Sequence, residues 1–274
     1  MSFYPLFNLN EARGFISLPN FPTNNWEKTH HGEKNIYSFR PTKQGRWNVQ
    51  NFGKISENAF FDISTDELDI KLEYDIIDGV SIGELALFQL RIDELPKSLI
   101  ELPNVDFEQT HWPEWRSTIG FKTEDSRVSY QGEINPTSPK ATLLTFHPFI
   151  QFVDIRNYFV FVNIEKSSVT RWSEIEIFDS KKGEKIDTKK IKNNSVNIIP
   201  LDKYEFTQND LPVFFSKSMA GIPFGFGKSI SSSMMSLEHT HPPASLTLHG
   251  NRLIAQKNIK MSWAEYLKIK ESHT

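Results

Sequence analysis

The sequence predicts an all-β protein, built as an antiparallel β-sandwich or a jelly-roll-like pair of sheets, with a short C-terminal α-helix. Three observations lead to this class. Short β-favouring runs recur along the 274 residues between Pro and Gly breaks. Some runs alternate apolar and charged residues, and others are apolar on both faces. Strands of both kinds in one chain indicate at least two packed layers of sheet.

The first part of the chain supplies strands of both kinds. Residues 35–40, 46–52 and 60–63 are β-favouring runs broken by Pro or Gly. Residues 68–74 alternate apolar and charged side chains, which is the period of a half-buried strand. Residues 84–92 are largely apolar at both odd and even positions, a pattern that fits a strand buried on both faces. A helical turn is the alternative for this segment.

A proline-bearing connection follows at residues 93–114 and has no sustained period. We expect the boundary of two units here: an N-terminal β subdomain, residues 1–114, and a β-sandwich domain with the C-terminal helix, residues 115–274. The two units could equally form one continuous domain. Further strands are predicted after the connection, at 117–122, 127–134 and 141–146.

The second part of the chain has three features that predict local structure. Residues 158–164 are apolar on both parities, so we expect a strand sandwiched between two layers. Residues 185–192 are lysine-rich, which is typical of a solvated edge strand that resists aggregation. Ser262 and Glu265 match a capping box, and a short apolar stripe at helical spacing follows, formed by Trp263, Tyr266 and Leu267. This last pattern predicts a helix docked on a sheet, or else a partner-binding helix.

Composition narrows the function classes. The formal net charge is −3, so no global basic field favours nucleic-acid binding, and we expect no nucleic-acid partner. Cysteine is absent, which excludes thiolate chemistry and suits a reducing compartment. No apolar run is long enough for a transmembrane helix, and the first residues lack a signal-peptide pattern. These points predict a cytoplasmic protein without membrane insertion.

Histidines concentrate between residues 236 and 249. On a strand, His239 and His241 share a face because side chains alternate. Two imidazoles on one face suit a divalent metal such as Zn, Fe or Mn, with a third ligand from elsewhere. The pattern therefore predicts a metal-dependent, cupin-like enzyme as one alternative, with Glu238 as the acid or base.

The third ligand depends on strand register. His249 would join the pair only if His239 lay opposite it, and that register turns Leu246 and Leu248 away from the face of the other apolar residues. The apolar pattern therefore disfavours His249. His147, which follows a predicted strand, is the remaining candidate.

Residues 221–229 contain Gly-Lys-Ser after an earlier glycine, but the spacing fails the phosphate-loop pattern by one residue. We expect a glycine-punctuated turn there instead, with Phe224 and Phe226 in the core. Trp112, Trp115 and Arg116 form an aromatic and basic group beside the long connection. Such a group can stack a sugar ring, or it can bury the connection against the sheet.

The sequence lacks a complete catalytic set, including G-x-S-x-G and H-E-x-x-H patterns. This favours a non-catalytic ligand-binding or assembly protein, with a small-molecule or carbohydrate-type ligand at Trp112, Trp115 and Arg116. The first alternative is the metal-dependent enzyme at His239 and His241. The second alternative is a structural subunit that forms a homo-oligomer through an edge strand or the C-terminal helix.

Overall fold

The computed structural model describes residues 2–9, 12–21, 31–68, 74–104, 117–146, 154–204, 206, 212–239, 258 and 261–268. Within these ranges the chain forms nineteen strands, and a short 3₁₀ helix at Thr65–Leu68. In chain order the strands are β1 (Tyr4–Phe7), β2 (Arg13–Asn20), β3 (Lys34–Pro41), β4 (Trp47–Ile55), β5 (Ala59–Ser64), β6 (Asp75–Ile77), β7 (Val80–Gly83), β8 (Leu85–Arg91), β9 (Ser98–Leu99), β10 (Thr118–Lys122), β11 (Arg127–Gln131), β12 (Leu143–Phe146), β13 (Ile155–Asn163), β14 (Trp172–Asp179), β15 (Glu184–Lys192), β16 (Ser195–Pro200), β17 (Val213–Ser216), β18 (Ile222–Ser229) and β19 (Met235–His239).

The strands form four antiparallel sheets, which confirms the predicted all-β, sandwich-like class. The outer N-terminal sheet has the order β11-β10-β2-β5, and the inner N-terminal sheet has the order β1-β8-β3-β4-β9. The inner C-terminal sheet has the order β19-β18-β13-β16-β7-β6, and the outer C-terminal sheet has the order β12-β17-β14-β15.

Three apolar cores separate the four sheets, so the molecule is two sandwiches stacked face to face. One core lies between the two N-terminal sheets and includes Ile16 and Phe88. Another lies between the two C-terminal sheets and includes Ile177 and Phe214. The third, here called the middle core, joins the two inner sheets. It contains, among others, Phe7, Phe39, Trp47, Leu87, Val160, Ile198 and Phe224.

The inner strands are buried on both faces, as their sequences predict. On β8, Leu87 faces the middle core whereas Phe88 faces the N-terminal core. On β13, Val160 faces the middle core whereas Phe159 faces the C-terminal core. A side-chain period of two explains this division, since successive residues point to opposite faces. The strand alternative for residues 84–92 is therefore the observed one.

The chain crosses between the two sandwiches near residue 84. The hairpin of β6 and β7 belongs to the inner C-terminal sheet, where β7 pairs with β16. The next strand, β8, pairs instead with β1 and β3 in the inner N-terminal sheet. Gly83 lies at this crossing, where a Cβ atom would stand 2.7 Å from Val196. The expected unit boundary at 114 lies outside the described residues, and β10, which follows it, pairs with β2.

Residues 261–266 form the predicted C-terminal helix, which docks on the outer face of the outer C-terminal sheet. Leu267 and Trp263 pack there against Phe178 and Val213. Ser262 lies within the helix rather than at its start, so the predicted cap position is wrong: helical structure already includes Met261.

Two patterns noted in the sequence can be compared with the strands. The lysine-rich strand β15 is an edge strand, as predicted. The alternating segment 68–74 begins differently from the prediction, because Leu68 closes the 3₁₀ helix with its side chain in the N-terminal core. Residues 69–73 lie outside the described residues.

Candidate functional site

A groove of about 810 Å³ opens where the middle core ends, between the two sandwiches. Cavities of this size are typical of small-molecule sites, which occur preferentially at such junctions. The groove is lined by residues from both sandwiches: Arg13, Asp66, Lys122, Thr123, Glu124, Asp125, Arg156, Tyr158, Lys228, Ser229, Ile230, Ser232 and Ser233.

One wall of the groove continues the apolar face of β13 and β18. On β13 the residues facing the middle core are Val160, then Tyr158, then Arg156 at the end of the strand. On β18 the corresponding series ends with Phe226 and Lys228. The change from apolar to cationic side chains therefore happens on one continuous face, because residues two apart share a side. This surface is here called the cationic wall.

The opposite wall comes from the outer N-terminal sheet and is here called the mixed wall. It consists of Arg13, the neighbouring Asp66, and the β10–β11 turn from Lys122 to Asp125. Arg13 forms an ion pair with Asp66. Within the described ranges, neither Lys122 nor Arg156 has an ion-pair partner.

Strand register places two pairs of like charges at the groove. Arg156 lies directly opposite Lys228 in the β13–β18 pairing. Arg13 lies directly opposite Lys122 in the β2–β10 pairing. Like charges that face each other across two strands destabilise a sheet by up to about 1 kcal/mol. On the mixed wall Asp66 offsets this cost through its ion pair with Arg13.

The serine-rich connection between β18 and β19 forms the rim of the cationic wall. Asp154 anchors it: the carboxylate accepts hydrogen bonds from the Ser229 hydroxyl (2.5 Å), the Ser231 hydroxyl (2.9 Å) and the Ser231 amide (3.0 Å). These bonds, the serine hydroxyls first, lower the pKa of Asp154. The Ser232 hydroxyl bonds in turn to Ser229 at 2.8 Å. The rim is therefore held in a defined conformation.

Most residues predicted to form a site from the sequence lie outside the described residues. This applies to Trp112, Trp115 and Arg116, and equally to His147 and His241. The ligand site at the tryptophans and the metal site at the histidines therefore stay predictions. Within the described ranges, no group of three His, Cys, Asp or Glu side chains is positioned to hold a metal ion.

The strand that carries the predicted histidines is described as far as residue 239. It pairs with β18, so that the backbone of His239 lies opposite Phe224 and Glu238 lies opposite Gly225. Glu238 is exposed. Met235 and Leu237 pack against the middle core, which agrees with the predicted parity. The expected partner segment, which contains Leu246, Leu248 and His249, lies outside the described residues.

Residues 222–229 form a strand, not the expected turn, although Phe224 and Phe226 lie in the core as predicted. The prediction of a turn was wrong because two glycines in eight residues, with a third directly before them, are unusual for a strand. Gly221 immediately precedes the strand, where a Cβ would stand 2.2 Å from the Val162 carbonyl oxygen. Glycine here permits close approach of two backbones rather than a loop.

Two further clusters of polar side chains stabilise the fold and lie outside the lining of the groove. Glu165 is buried and pairs with Arg171, while Asn193 donates a hydrogen bond of 3.1 Å to the same carboxylate. Asp187 accepts hydrogen bonds from Tyr204 at 2.5 Å and Lys203 at 3.1 Å. The oxygens of both acids are engaged by neighbouring side chains or, at Asp187, also by the Thr188 amide, which indicates structural roles.

No local sequence pattern unites the groove residues, so the sequence alone does not predict them as a site. One signal is present in the sequence of β13 and β18. Every second residue of each strand is apolar, and the series ends in a cation, as Val160 and Tyr158 are followed by Arg156 on the same face. The serine tract at 231–233 is visible in the sequence, but its anchor, Asp154, lies 77 residues from Ser231.

No family model, no curated protein and no solved structure matches this chain. Among the described residues, no helix has the length and apolar character needed to cross a membrane. What the groove binds therefore has to be inferred from its own side chains.

Proposed function

We propose that this protein is a non-catalytic ligand-binding protein, and that its groove takes a small, hydroxyl-rich ligand of the carbohydrate type. The observation that carries the proposal is the groove of about 810 Å³ between the two sandwiches, with polar side chains on both walls. Its volume lies within the range of small-molecule sites, and its position at a junction is typical of them.

The chemistry of the lining supports a ligand with many hydroxyl groups. Glu124 and Asp125 supply carboxylate acceptors, while Ser232 and Ser233 supply hydroxyls that both donate and accept. Tyr158 adds a half-buried aromatic ring, the side chain against which a sugar ring packs. A sugar presents the same combination of hydroxyl groups and an apolar ring face.

The anchored rim supports binding rather than chemistry. The Ser229 hydroxyl donates to Asp154 and accepts from the Ser232 amide at 3.0 Å, so its role is to hold the turn. A rim that is ordered before the ligand arrives lowers the entropy lost on binding.

The test is a thermal-shift screen of neutral sugars, uronic acids and sugar phosphates, followed by titration calorimetry of each hit. In Ser233→Trp the added indole would fill the groove, so hits should lose binding at least tenfold. Ser56→Trp serves as the matched control, because Ser56 is an exposed serine in the β4–β5 turn, away from the groove. Hits that bind Ser233→Trp as tightly as the control would refute the proposed site, and an empty screen would refute the ligand class.

A further inference from the structure

We infer that the ligand of the groove carries an oxyanion, with a phosphorylated sugar or polyol as its class, and that the oxyanion binds the cationic wall at Arg156 and Lys228. This inference rests on the proposed function and deepens it. The geometry divides the groove into a wall that suits an anion and a wall that suits hydroxyl groups.

The strongest support is the unusual placement of Arg156 opposite Lys228. Directly opposite residues on antiparallel strands have Cβ atoms about 4.5–5.5 Å apart, so the two cations repel each other. Among the described residues, the cationic wall contributes no carboxylate to the lining of the groove. Two acids of the described residues lie near this wall: Asp154 accepts hydrogen bonds from the serine turn, and Asp202 accepts one from the Asn157 amide at 3.0 Å. A bound oxyanion would remove the repulsion and receive charge-assisted hydrogen bonds.

Protection of a sheet edge does not explain these cations. Lysines on an edge strand prevent association with other sheets, and the lysines of β15 fit that role. In contrast, β13 and β18 are interior strands, each paired on both sides. The charged end of β18 is paired on both sides, since Lys228 lies opposite Arg156 and opposite Met235. Edge protection therefore does not account for Lys228, and a different reason for placing it beside Arg156 is needed.

The surroundings of the pair increase its electrostatic strength. Tyr158 and Phe226 lie next to it on the same face and border the middle core. Lys228 is half-buried beside these rings, where a lower local dielectric constant strengthens its attraction for an anion compared with open water, whereas Arg156 is exposed. Lys122, which has no ion-pair partner among the described residues, adds a third cation from across the groove.

The mixed wall distinguishes a phosphorylated sugar from a free anion. Glu124 and Asp125 would repel a second anionic group, but they accept hydrogen bonds from sugar hydroxyls. Thr123 lies between Lys122 and these acids, and its buried hydroxyl has no hydrogen-bond partner within the described part of the chain. One ligand that has an anionic end and a hydroxyl-bearing end satisfies both walls.

The inference is tested by calorimetric titration of the full chain with three probes: a hexose phosphate, the matching neutral hexose, and inorganic phosphate. The hexose phosphates to be titrated are those that bind in the sugar screen, and each is compared with the same hexose without its phosphate. We expect the hexose phosphate to bind at least tenfold more tightly than the hexose, and inorganic phosphate to compete with it.

Arg156→Gln should weaken hexose phosphate binding at least tenfold and change hexose binding less than threefold. The control Lys190→Gln removes the same charge from an exposed position on β15 and should change neither. Without ligand, Arg156→Gln should also raise the melting temperature slightly, since one member of the repelling pair is gone; an unchanged or lower value would contradict the repulsion on which the inference rests.

The outcomes separate this inference from the proposed function. Equal binding of hexose and hexose phosphate, both abolished by Ser233→Trp, would overturn the oxyanion site and leave the sugar-binding groove intact. Hexose phosphate binding that Arg156→Gln does not weaken would also overturn it. Failure of every probe and every sugar would refute the proposed function itself.

Discussion

The stacking of two sandwiches on a shared middle core predicts that the protein unfolds in one transition. The test uses one Phe→Ala substitution in each of the three cores. Phe88 belongs to the N-terminal core, Phe214 to the C-terminal core, and Phe224 to the middle core. Phe224 lies on β18 of the C-terminal sandwich, yet its ring centroid is 5.0 Å from that of Tyr130 and 6.4 Å from that of Phe7, both in the N-terminal sandwich.

The expected shifts follow from the size of the unfolding unit. Truncating a buried Phe costs about 3–5 kcal/mol. With an unfolding entropy of about 2.1 cal/mol/K per residue, the whole chain of 274 residues has about 0.6 kcal/mol/K. Each substitution should therefore lower the melting temperature by about 5–8 °C if the chain unfolds as a unit. A sandwich of half that size, unfolding alone, would shift by about 10–17 °C.

Differential scanning calorimetry measures both quantities at once. A single transition whose calorimetric and van't Hoff enthalpies agree is expected for the wild type and for all three variants. Two transitions, of which Phe88→Ala lowers one and Phe214→Ala lowers the other, would refute the reasoning. That result would show that the middle core does not couple the sandwiches.

Three further predictions concern single residues. Gly14→Ala should lower the free energy of unfolding in urea by more than about 3 kcal/mol, because the new Cβ would stand 1.9 Å from the Phe7 carbonyl oxygen. Gly79 has φ +73° and open space around it, so Gly79→Ala should cost only about 1 kcal/mol. Desolvation alone would raise the pKa of Asp187, but hydrogen bonds led by that from Tyr204 hold it well below its usual value, so the stability it contributes is present above pH 4 and lost as the pH falls. Tyr204→Phe should therefore lower the free energy of unfolding by about 1.5 kcal/mol at pH 7 and by a similar amount at pH 4, because Asp187 stays ionised in the folded protein at both values. Burial lowers the pKa of Lys34 to about 8, so between pH 8 and 10 the unfolded chain binds more protons than the folded one. The melting temperature should therefore rise with pH in this range, and Lys34→Met should abolish that rise.

The sequence predicts the layers of this protein well, because layering follows from local periodicity. Residues 158–164 are apolar on both parities, and the structure places them between two cores as strand β13. Periodicity reveals that a strand is doubly buried but not which strands cover it. The exchange of the β6–β7 hairpin into the inner C-terminal sheet depends on pairing with β16, more than a hundred positions away.

The candidate groove was hidden for the same reason. Arg13 and Lys122 become neighbours only through the pairing of β2 with β10, and the Ser229 hydroxyl meets its acceptor, Asp154, across 75 residues of chain. In the sequence each of these residues looks like an ordinary surface side chain. Charge density and motif searches detect sites that are local in sequence, whereas this groove is assembled from strand ends of both sandwiches.

The groove and the middle core depend on each other through the contact between Phe121 and Phe226, whose ring centroids are 6.4 Å apart. Phe121 directly precedes Lys122 on the mixed wall, and Phe226 is two residues from Lys228 on the cationic wall. Since this contact joins β10 and β18, the two strands that end at the groove, it helps to set the distance between the walls. Phe226→Ala should therefore weaken hexose phosphate binding as well as stability. Phe88→Ala, which lies in a different core, should lower the melting temperature by a similar amount and leave the affinity measured by calorimetry at 25 °C unchanged. A loss of affinity equal in both variants would mean that global stability, and not the spacing of the walls, controls binding.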